Sequence, residues 1–245
     1  MRSGLVFFFF LIVLSANAQT KQVSHEQQVW LGYMNQTRIS KNWGFWLDVH
    51  LRTKEDFFDD LSIFMVRPGI TYYLNDATKL TAGYAYINIY PADSRKISQP
   101  EHRPWQQIQW HTKYGRLKTM QLIRLEERFR RNYANDSTLG SGYAFNYRLR
   151  YNFLLQVPLD KKDGNAGSFS FILNDEVHIN FGKQVVYNTF DQNRFFAGFA
   201  YNVNKTDNIQ FGYMNMFQQL ASGNRYRSVH TARISYFHNL DLRKK

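Results

Sequence analysis

The sequence predicts an all-β protein: a transmembrane antiparallel β-barrel of about twelve strands, with ten strands as the alternative. Three observations predict this fold. Long segments alternate apolar and polar residues, the links between them are alternately short and long, and 17% of residues are aromatic although the mean hydropathy is −0.50. Long alternating strands separated by turn residues are typical of membrane barrels.

The first twenty residues, MRSGLVFFFFLIVLSANAQT, match a secretory signal peptide. Arg2 provides the positively charged N-terminal region, residues 5–14 form the apolar region, and ANA at 16–18 is a small-x-small cleavage pattern. A retained membrane anchor is the alternative, but a run of about ten apolar residues is shorter than the roughly 20 that a spanning helix needs. We therefore expect a signal peptide at 1–18 and an outer-membrane β-barrel domain at 19–245.

Composition restricts the partners. The chain contains no cysteine, so an exported form has no disulfides and no lipoprotein anchor. The formal net charge is +12, which can indicate nucleic acid, but an exported protein rarely meets nucleic acid and we predict none as a partner. The expected partners are membrane lipids and lipopolysaccharide, with small anionic solutes as candidate cargo. The alternative explanation of the positive charge is that the surplus Lys and Arg residues lie on loops and bind no partner.

Segments with period-two alternation recur from about residue 26 to the end of the chain. Most are longer than the five or six residues usual in soluble domains, and long enough for the roughly 9–11 residues of a spanning strand. Single-chain bacterial barrels have an even strand number, so eleven visible segments favour twelve strands. The segments are 27–38, 43–54, 62–74, 78–90, 103–114, 117–131, 143–157, 168–181, 193–204, 207–219 and 228–240.

The links alternate in length. Short turns such as SKNW, NDAT, KYGR and NKTD are separated by longer loops such as PADSRKISQPEH and NYANDSTLGSG. In outer-membrane barrels the short turns are periplasmic and the long loops extracellular, so the predicted location is the bacterial outer membrane. Closure also leaves no unpaired strand edge in lipid. A soluble β-sandwich, which alternates as well, is the alternative.

Segment 143–157 shows the two predicted faces. Tyr, Phe and Leu residues occupy one face, expected to meet lipid, and Arg148, Arg150 and Asn152 occupy the other, expected to line a wet lumen. Segments 168–181 and 43–54 alternate in the same way. The polar face of segment 168–181 carries Glu176 and His178. The polar face of segment 43–54 carries Asp48, His50 and Arg52.

The stretch RLEERFRR, residues 124–131, places alternate charges on one strand face. Glu127 falls on the apolar side, near the strand end. Two interpretations of the lumen charges remain open: a salt-bridge network that fills a narrow barrel, or a cationic constriction that selects anions. The predicted network comprises Arg124, Glu126, Arg128, Arg148, Arg150, Glu176, His178, Asp48, His50 and Arg52.

Enzymatic chemistry has weaker support. His50, His111 and His178 lie on predicted lumen faces, but Ser170 and His178 are about 26 Å apart along their strand, and we predict no catalytic residues. Metal-ligand spacings and phosphate-loop patterns are absent, so no metal or cofactor is expected. A narrow channel or structural envelope protein with a basic lumen is the favoured function, and a barrel enzyme acting on envelope lipids is the alternative.

Three stretches resemble one family: QVWLGYMNQTRISKNWGFWLDVHLR, RPWQQIQW and RLEERFRR. They are similar to an uncharacterised bacterial outer-membrane β-barrel family, domain of unknown function family 2490. The likeness extends from Gln27 to Leu242. It implies a barrel in the outer membrane and no established activity, so no catalytic residue is transferred.

Overall fold

The computed structural model describes residues 21–54, 57–92, 95–161 and 164–243, and the predicted signal peptide lies outside them. No helix long and apolar enough to cross a membrane occurs in these ranges. The described residues form eleven strands: β1 (Gln22–Arg38), β2 (Trp43–Lys54), β3 (Asp60–Tyr73), β4 (Thr78–Ile89), β5 (Gln99–Tyr114), β6 (Leu117–Tyr133), β7 (Leu139–Pro158), β8 (Phe169–Phe181), β9 (Phe190–Asn202), β10 (Asp207–Gln219) and β11 (Arg225–Asp241).

The strands close into one barrel in which every strand pairs with its neighbours in sequence. The closing pair, β1 with β11, is parallel, from Gln22 opposite Arg225 to Arg38 opposite Asp241. The prediction of an all-β barrel is therefore confirmed, with eleven strands in the described residues instead of twelve or ten. The parallel seam explains the odd number, because a barrel of antiparallel pairs alone closes only with an even count.

The two ends of the barrel differ in their links. The end that carries the links after β1, β3, β5, β7 and β9 is called the turn end, and the opposite end the loop end. Residues 39–42 and 115–116 are links at the turn end, whereas residues 182–189 form a link at the loop end. Because the closing pair is parallel, β1 starts at the loop end and β11 finishes at the turn end.

Strands β5, β6 and β7 extend further toward the loop end than the sequence predicts. β5 begins at Gln99 and β7 at Leu139, which pairs with Tyr133 past a shift in register. The predicted loops 91–102 and 132–142 are correspondingly shorter. These extensions carry no clear apolar alternation, so hydrogen bonding between neighbouring strands, and not the residue pattern, determines where the strands end.

Side chains alternate between the outer wall and the lumen, as the pleat of a strand requires. In β7, Leu149, Tyr151 and Phe153 are exposed on the outer wall, whereas Arg148 and Arg150 between them are buried in the lumen. Polar side chains are therefore concentrated inside the barrel and large apolar ones outside, the reverse of a soluble protein.

The lumen also contains apolar side chains, packed in two clusters on different parts of the inner wall. One is formed by β3, β4 and β5 with Trp46 of β2, and the other by β8 to β11 with Trp30 of β1. The first consists of Trp46, Met65, Ala85, Ile87 and Trp105, and the second of Trp30, Ile172, Phe196, Ala200, Met214, Met216 and Val229.

A pair of glycines makes room for the largest buried side chain. Gly69 and Gly83 are cross-strand partners in β3 and β4, and Trp105 of β5 is fully buried beside them. A Cβ atom on either glycine would lie within 3 Å of the Trp105 ring atom Cζ2. The absence of side chains at both positions therefore allows the indole to lie against the wall.

Candidate functional site in the lumen

Arginine dominates the charge of the lumen. Eleven arginines from seven strands line three successive cavities, and six carboxylates of the described residues form ion pairs with members of this set. The cations therefore exceed the anions that contact them. The arginines are Arg52, Arg67, Arg103, Arg124, Arg128, Arg130, Arg148, Arg150, Arg194, Arg227 and Arg233, and the carboxylates are Glu26, Asp48, Glu101, Glu126, Glu176 and Asp191.

Glu126 is the centre of the network. Its carboxylate is completely buried and lies 2.7 Å from Arg150 Nη2, 3.0 Å from Arg103 Nη1 and 3.1 Å from Arg148 Nε. Arg67 Nη1 lies 3.9 Å away. A buried carboxylate is stable only with such partners, so one side chain of β6 connects β3, β5 and β7.

Two further carboxylates extend the network toward the loop end. Glu101 Oε1 accepts hydrogen bonds from Arg103 Nη2 and Arg128 Nε, each at 2.7 Å. Asp191 Oδ2 lies 2.6 Å from Arg148 Nη1. Arg148 therefore joins Asp191 to Glu126, and the ion pairs form a continuous chain from β5 to β9.

The network also continues to the middle of β8 and, separately, to β2. Glu176 lies 2.8 Å from His178 Nε2, 3.2 Å from Arg194 Nη1 and 3.5 Å from Arg150 Nη1. On the other side of the barrel, the carboxylate of Asp48 accepts a hydrogen bond of 2.7 Å from Arg67 Nε, and His50 Nε2 is 3.8 Å away.

Four arginines have no carboxylate within ion-pair distance in the part of the chain that the structure describes: Arg52, Arg124, Arg130 and Arg233. Three of them lie against aromatic rings instead. The guanidinium carbon of Arg52 is 3.6 Å from the ring centroid of Trp30. The corresponding distances are 4.6 Å from Arg124 to Trp105 and 4.7 Å from Arg233 to Phe196. Arg124 Nε also donates to Gln107, and Arg130 Nη2 to Asn146. Such contacts hold a guanidinium without neutralising its charge.

The three cavities follow one another along the barrel. The loop-side cavity has a volume of about 430 Å³, the middle cavity about 130 Å³ and the turn-side cavity about 570 Å³. Arg150 lines all three. The middle cavity, which is the smallest, shares Arg52 and Arg194 with the loop-side cavity, and Arg67 and Arg233 with the turn-side cavity. The smallest cavity therefore has the most arginines for its volume, with five around about 130 Å³.

The ten residues of the predicted network all lie on the inner wall, and the structure divides them into groups. Glu126, Arg148, Arg150, Glu176 and His178 are in mutual contact. Asp48 and His50 join the network through Arg67, and Arg128 joins through Glu101. Arg52 and Arg124 contact no carboxylate among the described residues.

Sequence reasoning missed nine of these arginines and carboxylates. Asp191 lies in a segment predicted as a loop, which the structure shows as the start of β9. Arg67 and Arg103 lie within strands that were predicted, and their alternation with outward-facing residues is the signal that places them in the lumen. The missed residues are Glu26, Arg67, Glu101, Arg103, Arg130, Asp191, Arg194, Arg227 and Arg233.

The three histidines considered as bases lie beside carboxylate or amide side chains. His178 contacts Glu176 and the Gln192 amide, which is 2.9 Å from Nδ1, and His111 contacts Gln109. Ser170 accepts a hydrogen bond from Gln156. Within the described ranges, no hydroxyl hydrogen-bonds to any of these histidines, and no three His, Cys, Asp or Glu side chains are grouped to hold a metal ion.

The fold and the site define a closed β-barrel with an arginine-rich lumen. The chain belongs to the family described as "Protein of unknown function (DUF2490)", whose model matches residues 27–227. The resemblance seen in the sequence is therefore confirmed.

Two similar proteins complete the comparison. An uncharacterised protein of Methylorubrum extorquens is 26% identical over 157 residues, which cover 62% of this chain and 61% of that protein. The chain thus aligns with less than two thirds of that relative's length. The NanC porin, solved in a rhombohedral crystal form, matches with a TM-score of 0.49 and 12% identity over 87% of this chain and 99% of the porin chain.

Proposed function

We propose that this protein is an outer-membrane barrel that forms a narrow channel for small anionic solutes. The observation that carries the proposal is the row of three cavities along the lumen, lined by eleven arginines against six contacting carboxylates. A channel needs a path through the barrel, and selectivity for anions needs an excess of fixed positive charge along that path. The adjoining cavities and the excess of arginine in the lumen support this proposal.

The outer wall supports a location in a lipid bilayer. Large apolar side chains are exposed on all sides of the barrel, among them Phe45, Leu80, Ile123, Phe199 and Ile234. Water would disfavour such a surface, whereas hydrocarbon solvates it. The lipids and lipopolysaccharide of the outer membrane are the partners that this wall would contact, with the turn end periplasmic.

The unpaired arginines support anions as the cargo. Arg52, Arg124, Arg130 and Arg233 have no carboxylate partner among the described residues, and isolated charges are costly unless they are hydrated or paired. A passing anion would replace the missing carboxylate at each of them in turn. Because no single site holds a complete set of ligands, the anion would bind weakly enough to leave again.

Single-channel recording of the refolded protein in a planar bilayer, under a salt gradient, tests the proposal. We expect discrete conductance steps. The sign of the reversal potential should show that anions pass more readily than cations. Replacing Arg124→Gln should weaken that preference, whereas Lys205→Gln, an exposed change of equal charge at the turn end, should leave it unaltered. If protein that is shown to be folded passes no current, the channel is contradicted and a structural role in the envelope remains.

A further inference from the structure

The loop-side cavity has two chemically different sides. One is cationic, and the other is an apolar patch formed by Ile63 and Met65 of β3 with Ile87 and Ile89 of β4. Ile63 is opposite Ile89 and Met65 is opposite Ile87, so the four side chains are contiguous; they are called the isoleucine patch. Ile63 and Ile89 are only partly buried. Apolar surface is therefore left open opposite the cationic side of this cavity.

Arg52 borders this patch directly. It is the cross-strand partner of Ile63, and its guanidinium carbon lies 3.6 Å from the centroid of the Trp30 ring. Arg194 lies over the same ring at 5.0 Å. The Nε atoms of Arg52 and Arg194 are buried and have no hydrogen-bond partner. Two donors near one aromatic ring therefore lack an acceptor, and one of them, on Arg52, lies at the edge of the patch.

We infer that the loop-side cavity binds an organic monocarboxylate that has an apolar body. Its carboxylate lies between Arg52 and Arg194, and its body lies on the isoleucine patch. A planar carboxylate matches the donor geometry of a guanidinium, and the body gains affinity because it covers apolar surface that water contacts poorly. The inference rests on the proposed function, since it names the class of anion that this lumen takes.

A cavity of about 430 Å³ holds a ring-sized solute together with water. Inorganic anions and acetate satisfy only the arginines, whereas benzoate carries the same charge and also covers the patch. We therefore expect benzoate to bind at least about tenfold more tightly than acetate, because burial of a ring-sized apolar group increases affinity by about that factor.

Two measurements on the folded, full-length mature chain test the inference. One is titration calorimetry of benzoate and acetate in detergent, and the other is block of the chloride current by the same two anions. The double variant Ile63→Thr/Ile89→Thr should reduce the affinity for benzoate to that for acetate, and Arg52→Gln should weaken both. Ile70→Thr, on the outer wall of β3, is the matched control and should retain the difference.

The outcomes separate the two proposals. Equal affinity for benzoate and acetate, or a preference for benzoate that survives the double variant, overturns the inference even if the protein conducts anions. Tight benzoate binding that depends on the patch, in a protein that passes no current, supports the binding site and refutes the channel. Tight, patch-dependent binding together with block of the current supports both.

Discussion

Arg150 and Glu126 form an ion pair of 2.7 Å between neighbouring strands, in the middle of the lumen. Arg67, Arg103 and Arg148 contact the same carboxylate, which is fully buried. Four cations from three strands thus share one anion, although each also contacts a second carboxylate. Glu126 is the one group that holds all four together, because its charge offsets the repulsion among the guanidiniums.

Glu126→Gln should therefore destabilise the barrel by about 3 kcal/mol, because it removes the charge that four buried cations share and leaves each with a single carboxylate partner. The change keeps the shape of the side chain, so the loss reports charge and not volume. The loss of stability is measured by urea unfolding, with the folded fraction read from the heat-dependent shift in gel mobility. Glu127→Gln is the matched control: Glu127 is next in sequence but lies on the outer wall, where Gln106 Nε2 is 3.3 Å away. Equal stability of the two variants would show that the network does not hold the barrel together.

The width of the middle cavity depends on Gly32. A Cβ atom there would lie 3.2 Å from Ser235 Oγ and 3.3 Å from His50 Nδ1, in the smallest of the three cavities. Gly32→Leu should therefore narrow the lumen and reduce the single-channel conductance at least about twofold, with little change in ion preference because no charge is removed. Ala232→Leu, on the outer wall of β11, adds a similar volume outside the lumen and should leave the conductance unchanged. An undiminished current through the Gly32 variant would mean that ions pass elsewhere.

Alternation within each segment was enough to predict which residues face the lumen. Arg148, Arg150 and Glu176 are on the inner wall for the reason that the sequence indicated, since successive side chains of a strand point to opposite sides. The pairing between strands was not predictable in this way, because register depends on contacts distant in sequence. Arg67 reaches Glu126 across two intervening strands, and Asp191 enters the network only because β9 begins before the apolar pattern does.

The Gly69–Gly83 pair gives a second prediction about stability. A Cβ atom on Gly83 would lie 2.7 Å from Gly69 Cα and 2.8 Å from Trp105 Cζ2. Gly83→Ala should therefore displace the indole or the strand and cost about 1–3 kcal/mol, the usual range for overpacking. The urea unfolding midpoint measures this cost. Ala82→Ser, the adjacent position on the outer wall, should have little effect. A Gly83→Ala barrel as stable as the unaltered protein would show that the indole does not need this space.

The parallel seam is the part of the fold that departs most from expectation, and the lack of cysteine makes it testable. Leu31 of β1 and Ile234 of β11 are partners in the seam and are both exposed on the outer wall. The pair Leu31→Cys/Ile234→Cys should form a disulfide on mild oxidation, because adjacent strands bring Cα atoms within the range of about 4.4–6.8 Å that a disulfide requires. With no other cysteine in the chain, any change in gel mobility of the monomer reports this one bond. Leu31→Cys/Tyr236→Cys, which is out of register by two residues, should cross-link much less. Cross-linking in neither variant would contradict the seam and favour a barrel closed by an additional strand between β1 and β11, as the predicted count of twelve requires.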